Sequence, residues 1–508
     1  MRSPRILVAL FAIVACLARP GSAWCEPALR SGPLSPVIDG DLGEWPEGTL
    51  LRADGHDLFV RVSLPGEITL QAAPYSLGLL LDVDGDPSTG SGLDGVQGDT
   101  SDAGAELAVV FSPPGVSSRS VGRGNEGVAA LLLPDRGQDR AAEPVPHADL
   151  DLVFSPTYAA KDFEVRLSRR PRGQPELAAA LTEGRVSARL VGVDREDSLA
   201  WSKPLGTVEL PSLGAEGPRV AARLPARPPD AIRIVSWNVL FATPMREPKP
   251  FARILRALDP DVVLVQEWER ADAARLRTWF EEHVSGQWHA LDSPGWGVAV
   301  ISRGPLERLG PARVERPAEA PPDTFRPDQS LRLAAAVVET RLGPIAVASM
   351  HLKCCGPAGG LQDRARIAEA GRIRQTLADA LEALGEARPT VRVFGGDLNL
   401  VGSREPLDVL KGGLARDGRD LEVARIEVLG DRALYTWRGV GSRYSPGRLD
   451  FLTFGGASAA GAYAVDTARL SQEVRAAAGL EADDSAASDH LALVLDVRPD
   501  DASSRKVQ

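Results

Sequence analysis

An acid and an amide two positions apart, Asp397 and Asn399, follow the run Val391–Phe394 and the pair Gly395-Gly396. The β-branched, apolar run reads as a buried strand that the glycines end. In extended backbone residues i and i+2 point to the same side, so the carboxylate and carboxamide can face one pocket. The same residues also have the composition of a tight turn. Similar residues recur elsewhere. Asn238 closes Ser236-Trp237-Asn238, and Glu267 closes Val265-Gln266-Glu267. His351 stands in Ser349-Met350-His351-Leu352, Asp450 in Leu449-Asp450-Phe451, and Asp489-His490 follow Ser488. Two of the chain's six histidines fall in this set, each beside an apolar strand. One such residue would be a cap or a satisfied core group. A series of ligand-type residues at strand ends, where scaffolds present catalytic groups, is the pattern of a site.

The elements that must position these groups can be read from residue 231 onward. Ile232–Asn238 reads as a strand, and Phe251, Ile254, Leu255 and Leu258 share one face of a helix that Pro260 ends. Val262–Val265 is a buried strand and Ala271–Phe280 a second helix. Strands are expected at Gly297–Ser302, Leu331–Thr340, Ile345–His351, Leu449–Phe454 and Leu491–Val497. Between them a long, arginine-rich helix runs from about Asp363 to Leu384, with Ile367, Ile373, Leu377 and Leu381 inward. Mixed strands and helices of this length predict layered α/β architecture, two sheets with helices outside.

In order, SWN, QE, the histidine of MHL, GDLN, LD and SDH resemble the motif set of the endonuclease/exonuclease/phosphatase superfamily. The group includes pancreatic-type deoxyribonucleases, apurinic-site endonucleases, inositol polyphosphate phosphatases and neutral sphingomyelinases. The resemblance spans roughly residues 231–497 and implies a four-layered α/β sandwich and metal-dependent phosphoester hydrolysis. That chemistry needs an in-line nucleophile, charge neutralisation at the phosphoryl oxygens and help for the leaving oxygen. Glu267, with Asn238 beside it, offers oxygen ligands of the kind magnesium or manganese takes, and Asp489 a second metal or water ligand. Asp397 is the candidate to orient or deprotonate water, and Asn399 to donate to developing charge. His490 is the candidate for hydrogen bonding or proton transfer to the phosphate, with Asp450 fixing its tautomer. His351 matches a histidine of the deoxyribonuclease-like branch that assists the phosphoryl or leaving group.

The pair Cys354-Cys355 after His351 departs from that pattern, and could form a vicinal disulfide, leave a thiol near the site, or be a buried loop pair. Of Arg364, Arg366, Arg372 and Arg374, one could approach a phosphate, while most are expected on a solvated face. No aromatic-and-basic surface marks nucleic acid, and no membrane-docking hairpin marks lipid. A formal net charge of −11 gives no global attraction to polyanions, so phosphate binding must be local or metal-assisted. The expected function is a nuclease-like phosphodiesterase, with a sphingomyelinase-like enzyme or an inositol- or sugar-phosphate phosphatase as alternatives. From another class, a non-catalytic glycan-binding protein with a degenerate hydrolase domain also fits, although such a protein has no physical reason to keep the whole polar set.

The 508 residues, 44% hydrophobic and 25% charged, suggest folded domains in two or three units. Residues 1–23 follow a secretory plan: early arginines, the short apolar run Ile6–Val14, and small residues before a cut after Ala23. Ile13-Val14-Ala15-Cys16 competes with it as a lipoprotein box that would anchor the chain through Cys16. Either way the chain is expected to be exported, periplasmic or secreted, and no stretch is long and apolar enough to span a bilayer. Cleavage leaves Cys25, Cys354 and Cys355, an odd set whose pairing is open. Residues 24–212 carry short alternating runs and predict an all-β sandwich. Ile38–Trp45 and the DAGAEL stretch, Asp102–Leu107, resemble family-9-type carbohydrate-binding modules, which implies their fold more than a ligand; a glycan is the candidate partner, with Trp45 and Tyr75 as either stacking or core residues. Asp82, Asp84 and Asp86 beside Gly85 have the composition of a structural calcium site or an acidic hairpin tip. Residues 213–230, rich in Pro, Ala and Arg, read as a linker to the α/β domain at 231–498, and 499–508 as a polar tail.

Overall fold

The computed structural model describes residues 35–93, 100–113, 126–294, 297–321, 324 and 330–500. The expected signal, Cys16, Cys25 and residues 501–508 lie outside them. The first part is a pair of antiparallel sheets. Leu51–Ala53, Asp57–Ile68, Ala160–Ser168 and Val153–Ser155 form a four-stranded sheet. Leu199–Glu209, Arg185–Val193, Ser76–Asp82, Leu107–Phe111, Val128–Leu132 and Glu143–Val145 form a six-stranded one. Alternate residues such as Val60, Leu79, Phe111, Phe163 and Leu190 meet in one core between them, as the period-2 pattern requires. Trp45 is buried in the body of the protein, its indole N–H donating to Glu164 Oε1 at 2.7 Å, and Tyr75 is half-buried against the core.

Beyond residue 231 two mixed sheets pack face to face. In the seven-stranded sheet Val262–Gln266, Ile232–Asn238 and Ala492–Pro499 are neighbours; in the six-stranded sheet Gly343–His351, Val391–Asp397 and Asp450–Gly455 are. Ile234, Leu264 and Leu495 of one meet Val347, Val393 and Leu452 of the other. Each fully buried side chain of this size contributes about 1.5–3 kcal/mol. Pro248–Leu258 and Ala273–His283 cover the outer face of the seven-stranded sheet, and Leu361–Ala383 and Glu405–Lys411 that of the six-stranded one. The result is a four-layered α/β sandwich preceded by a β-rich region. In the long helix Ile373, Leu377 and Leu381 point inward as expected, whereas Ile367 is only half-buried. Arg366 is fully buried there, paired with Asp363 at 3.1 Å and donating to the carbonyls of Lys353 and Cys355. That arginine holds a loop. Arg364 and Arg372 are exposed.

The β-rich region and the α/β layers share a core, because Ile38, Trp45, Phe59 and Val153 pack in the same cluster as the facing sheets. Ile38 bridges Ala433, with Ile38 N donating to Arg432 O and Leu434 N to Ile38 O, both at 2.9 Å. Beside this bridge lies a buried charge network. Arg166 of the four-stranded sheet bonds Asp431, and Arg219 donates to Asp57 and Asp151, each at 2.7 Å. Arg469 bonds Asp151 and lies 3.5 Å from Asp431. Removing one partner of such a network leaves an uncompensated buried charge.

Burial disfavours ionised Asp431, but Arg166, Arg219 and Arg469 outweigh it and hold its carboxyl below the ordinary 3.8. With the folded value depressed, this stabilisation is complete above about pH 4 and is lost as pH falls towards the folded value. Asp431→Asn is therefore expected to cost about 3–5 kcal/mol in urea unfolding at neutral pH. The gap from the parent should narrow below pH 4; a gap independent of pH would show that the carboxylate's charge is not what matters.

Candidate active site

The strand register explains why residues far apart in sequence meet. Asn238 is opposite Gln266 in a parallel pair, so Glu267 emerges beside it. His351 is opposite Asp397 in another parallel pair, and Asp397 is opposite Asp450 in an antiparallel one. These rows approach closely because Gly395 and Gly396 lack side chains. A Cβ on Gly395 would stand 2.0 Å from Phe451 O, and one on Gly396, at φ +139°, 2.1 Å from Met350 O. The backbone does not stay extended through Asn399, as the i, i+2 reading expects. Asn399 sits at φ +49°, and its N–H donates to Asp397 Oδ1 at 3.0 Å. The turn and the pocket are one feature.

Asp397 is the meeting point of the two sheets. Asn238 Nδ2 donates to Asp397 Oδ2 and to Glu267 Oε1, both at 3.0 Å, while Asn238 Oδ1 accepts from Leu240 N–H. His351 Nε2 lies 3.5 Å from Asp397 Oδ2 and 3.9 Å from Glu267 Oε1. His490 Nε2 lies 3.8 Å from Asp397 Oδ2 on another side, and its Nδ1 is 2.8 Å from Asp450 Oδ2. Thr436 Oγ1 donates to the same Asp450 oxygen at 2.6 Å. Ser488 Oγ bonds Asn238 O and accepts from His490 N–H, which ties the histidine loop to the first strand. Burial works against a charged His490, but Asp450 and Asp397 prevail and raise its value to about 10. Burial, then Arg332 and His490, push His351 well below 6.5. Burial above all raises Asp397 to about 7. The site thus sets an imidazolium against a neutral imidazole, which is the separation acid–base chemistry uses.

Glu267, His351 and Asp397 bring ligand atoms within 4.8 Å of one another. Two carboxylates and a neutral imidazole suit a divalent cation. Two buried carboxylate oxygens in the neighbourhood, Asp450 Oδ1 and Asp489 Oδ1, lack a hydrogen-bond partner. The donors fit a metal. Asp489 lines the same cavity without joining the compact set, its Oδ2 accepting from Trp437 Nε1 at 3.0 Å. Asn399 also lines it, with Nδ2 3.3 Å from Leu352 O. A second cluster gathers Asp82 and Asp84 with Glu106, where the sequence suggested Asp86; Asp86 is exposed and bonded to Ser88. Burial chiefly holds Asp82 up at about 6 and Glu106 at about 7.

Several neighbours carry no sequence signal of their own. Arg332 donates to Leu352 O at 2.7 Å and faces the His351 ring. Leu240, Phe241 and Ala242 all have φ near +50°, a left-handed run that disfavours side chains. It is held by Phe241 N and Ala242 N donating to Glu267 and leaves Phe241 60% exposed at the cavity. Cys354 and Cys355 line the cavity as exposed thiols, Sγ atoms 2.8 Å apart, rather than as a buried pair. The hydrogen bond from Cys355 pulls the Cys354 thiol down to about 6.

The sequence model of the endonuclease/exonuclease/phosphatase family matches residues 235–490, half of the chain. The protein belongs to that family. Its members are hydrolases acting on phosphoesters. Among solved structures, humanized TDP2 of D. rerio is 18% identical at TM-score 0.33, covering 53% of this chain and 99% of its own. The human Nocturnin catalytic domain, with bound sulfate, is 18% identical at TM-score 0.33, covering 54% and 97%. Sphingomyelinase C from Streptomyces griseocarneus is 16% identical at TM-score 0.33, covering 52% and 99%. No match is found among curated proteins. The family match leaves the β-rich region untouched.

In metal-free protein the His490 ring should stay protonated through neutral pH and lose its proton only towards about 10. Asp450→Asn removes the partner that holds it charged, so the titration should move down towards 6.5. Ring-proton NMR across pH reads both; a midpoint unmoved by the substitution would contradict the pairing.

Proposed function

We propose that the protein is an exported, metal-dependent phosphoester hydrolase, a phosphodiesterase of nuclease-like chemistry in which water attacks phosphorus in line. One oxygen carries the reading. Asp397 Oδ2 has Asn238 at 3.0 Å, His351 at 3.5 Å and His490 at 3.8 Å, so a ligand there meets both histidines and the metal donors together. Glu267 would hold a magnesium or manganese ion, with Asn238 beside it. Bound there, the ion supplies charge neutralisation at the phosphoryl oxygens.

The remaining roles belong to the chain. Asp397, its value raised towards neutrality by burial, orients the attacking water and takes its proton as the O–P bond forms and the ester P–O bond breaks. Asp450 fixes the His490 tautomer through Nδ1, which leaves Nε2–H to donate to a phosphoryl oxygen. Asn399 adds an amide donor at the same mouth, and His351, kept neutral, assists the phosphoryl or leaving oxygen. Asp489 completes the metal or water shell. The secretory plan of residues 1–23 supports export. Intact-mass analysis of the exported chain should place Trp24 first, and a lipid on Cys16 would overturn that cut.

Hydrolysis of bis-p-nitrophenyl phosphate, DNA, RNA, sphingomyelin and inositol phosphates, with magnesium, manganese or chelator, tests the activity. Turnover should need metal and fall about 10²–10⁴-fold in His490→Ala and Asp397→Asn, the range for positioned acid–base groups. Full activity in His490→Ala would refute the assignment.

A further inference from the structure

Part of the catalytic cavity is not built by the α/β fold. The cavity of about 830 Å³ that contains Asp397 and His490 is also lined by Thr69, Gln71, Glu126 and Thr157, all from the β-rich region. Such a volume suits one small ligand, for which sites run about 300–1,000 Å³. Each of these four residues is fastened to the opposite bank. Ala358 N donates to Thr69 Oγ1 at 3.2 Å, Ser445 N to Gln71 Oε1 at 2.8 Å, and Arg448 N to Thr157 Oγ1 at 2.8 Å. Tyr444 OH donates to Glu126 at 2.7 Å. Gly447 passes so close to Thr157 that a Cβ there would stand 2.8 Å from its hydroxyl. Held by these four hydrogen bonds, the wall is a fixed part of the site.

The charge of the cavity points the same way. Nucleic-acid sites track the backbone with a cationic surface whose contacts release counterions. Among the described linings, Glu126, Glu267, Glu269, Asp397 and Asp489 are interspersed with Arg270, Arg332, Lys353 and His490, and the wall's own acid, Glu126, is paired with Arg443, so the wall adds no continuous cationic track. Gln71 Oε1 is committed to Ser445, so its NH₂ is the end left to donate to a ligand.

We propose that the β-rich region sets the substrate class: the cavity takes a compact phosphoester with a polar portion that meets Gln71, and not the continuous backbone of duplex nucleic acid. A phosphate within a polymer carries chain on both sides, and a cavity bounded by Thr69, Gln71 and Thr157 narrows the room for both. The inference rests on the hydrolase reading above.

Steady-state kinetics of the full chain with manganese would test it on three probes: bis-p-nitrophenyl phosphate, a dinucleotide and closed circular plasmid. The compact diesters should be turned over, with kcat/KM per phosphodiester at least about 10²-fold above that for the plasmid. Gln71→Glu keeps an oxygen for Ser445 N–H but removes the donor. It should raise KM for the dinucleotide about three- to ten-fold, the value of one hydrogen bond, with kcat nearly unchanged. Gln71→Ala should do the same, and circular dichroism would show that both variants fold. Plasmid cleavage at the dinucleotide's efficiency, or unchanged KM in Gln71→Glu, would overturn the wall. Failure of the hydrolase reading looks different, with none of the three turned over, and it overturns both.

Discussion

Everything at the site depends on two sheets stopping at the same edge, and on one amide that joins them there. Asn238 belongs to the seven-stranded sheet, Asp397 to the six-stranded one, and their 3.0 Å hydrogen bond crosses the interface between the layers. Packed sheets stand about 10 Å apart, a gap filled by apolar side chains along the strands and by polar ones where the strands end. The glycine pair before Asp397 allows that registration by letting three strands approach without side chains between them. A carboxylate placed this way is buried and surrounded by groups that respond to its charge. Burial works against charge on both histidines; Asp450 and Asp397 overcome it at His490, whereas Arg332 adds to it at His351.

Much of this was legible in the residues. The strands around Asn238, Glu267, His351, Asp397, Asp450 and His490 announce themselves by apolar runs, since strands buried on both faces have little choice of side chain. The ordered motifs led to the right family and to the four layers. Side-chain contacts made by chance neighbours in space were not legible. Arg366 looks like one of several surface arginines on an amphipathic helix, yet it is buried because Asp363 and two carbonyls absorb its charge. Trp45 could have been read as a sugar platform, and only the position of Glu164 shows why its indole turns inward. Adjacency groups Asp86 with the carboxylate cluster, whereas Glu106 joins it from the bend just before a neighbouring strand.

The largest surprise lies in how the first two hundred residues relate to the rest. Their alternating pattern describes a sandwich with its own core, and that core exists. Nothing in the pattern says that Gln71 and Thr157 would line the cavity that holds His490. Such contacts depend on single residues in loops, where no period or composition constrains the reading. The shared hydrophobic cluster and the arginine–aspartate network show that the two regions were shaped against each other.

The bridge between Ile38 and Ala433 has a consequence for how the chain reaches this state. It joins the first described stretch to one near the end, so closing it encloses most of the polypeptide in a single loop. The entropy of such closure grows only slowly with length, but contacts of high sequence separation form late and slow folding. Ile38 and the Arg166 guanidinium must wait for partners synthesised hundreds of positions later. The β-rich core can form early, but the seam it shares with the α/β layers is completed only when both ends of that loop are present.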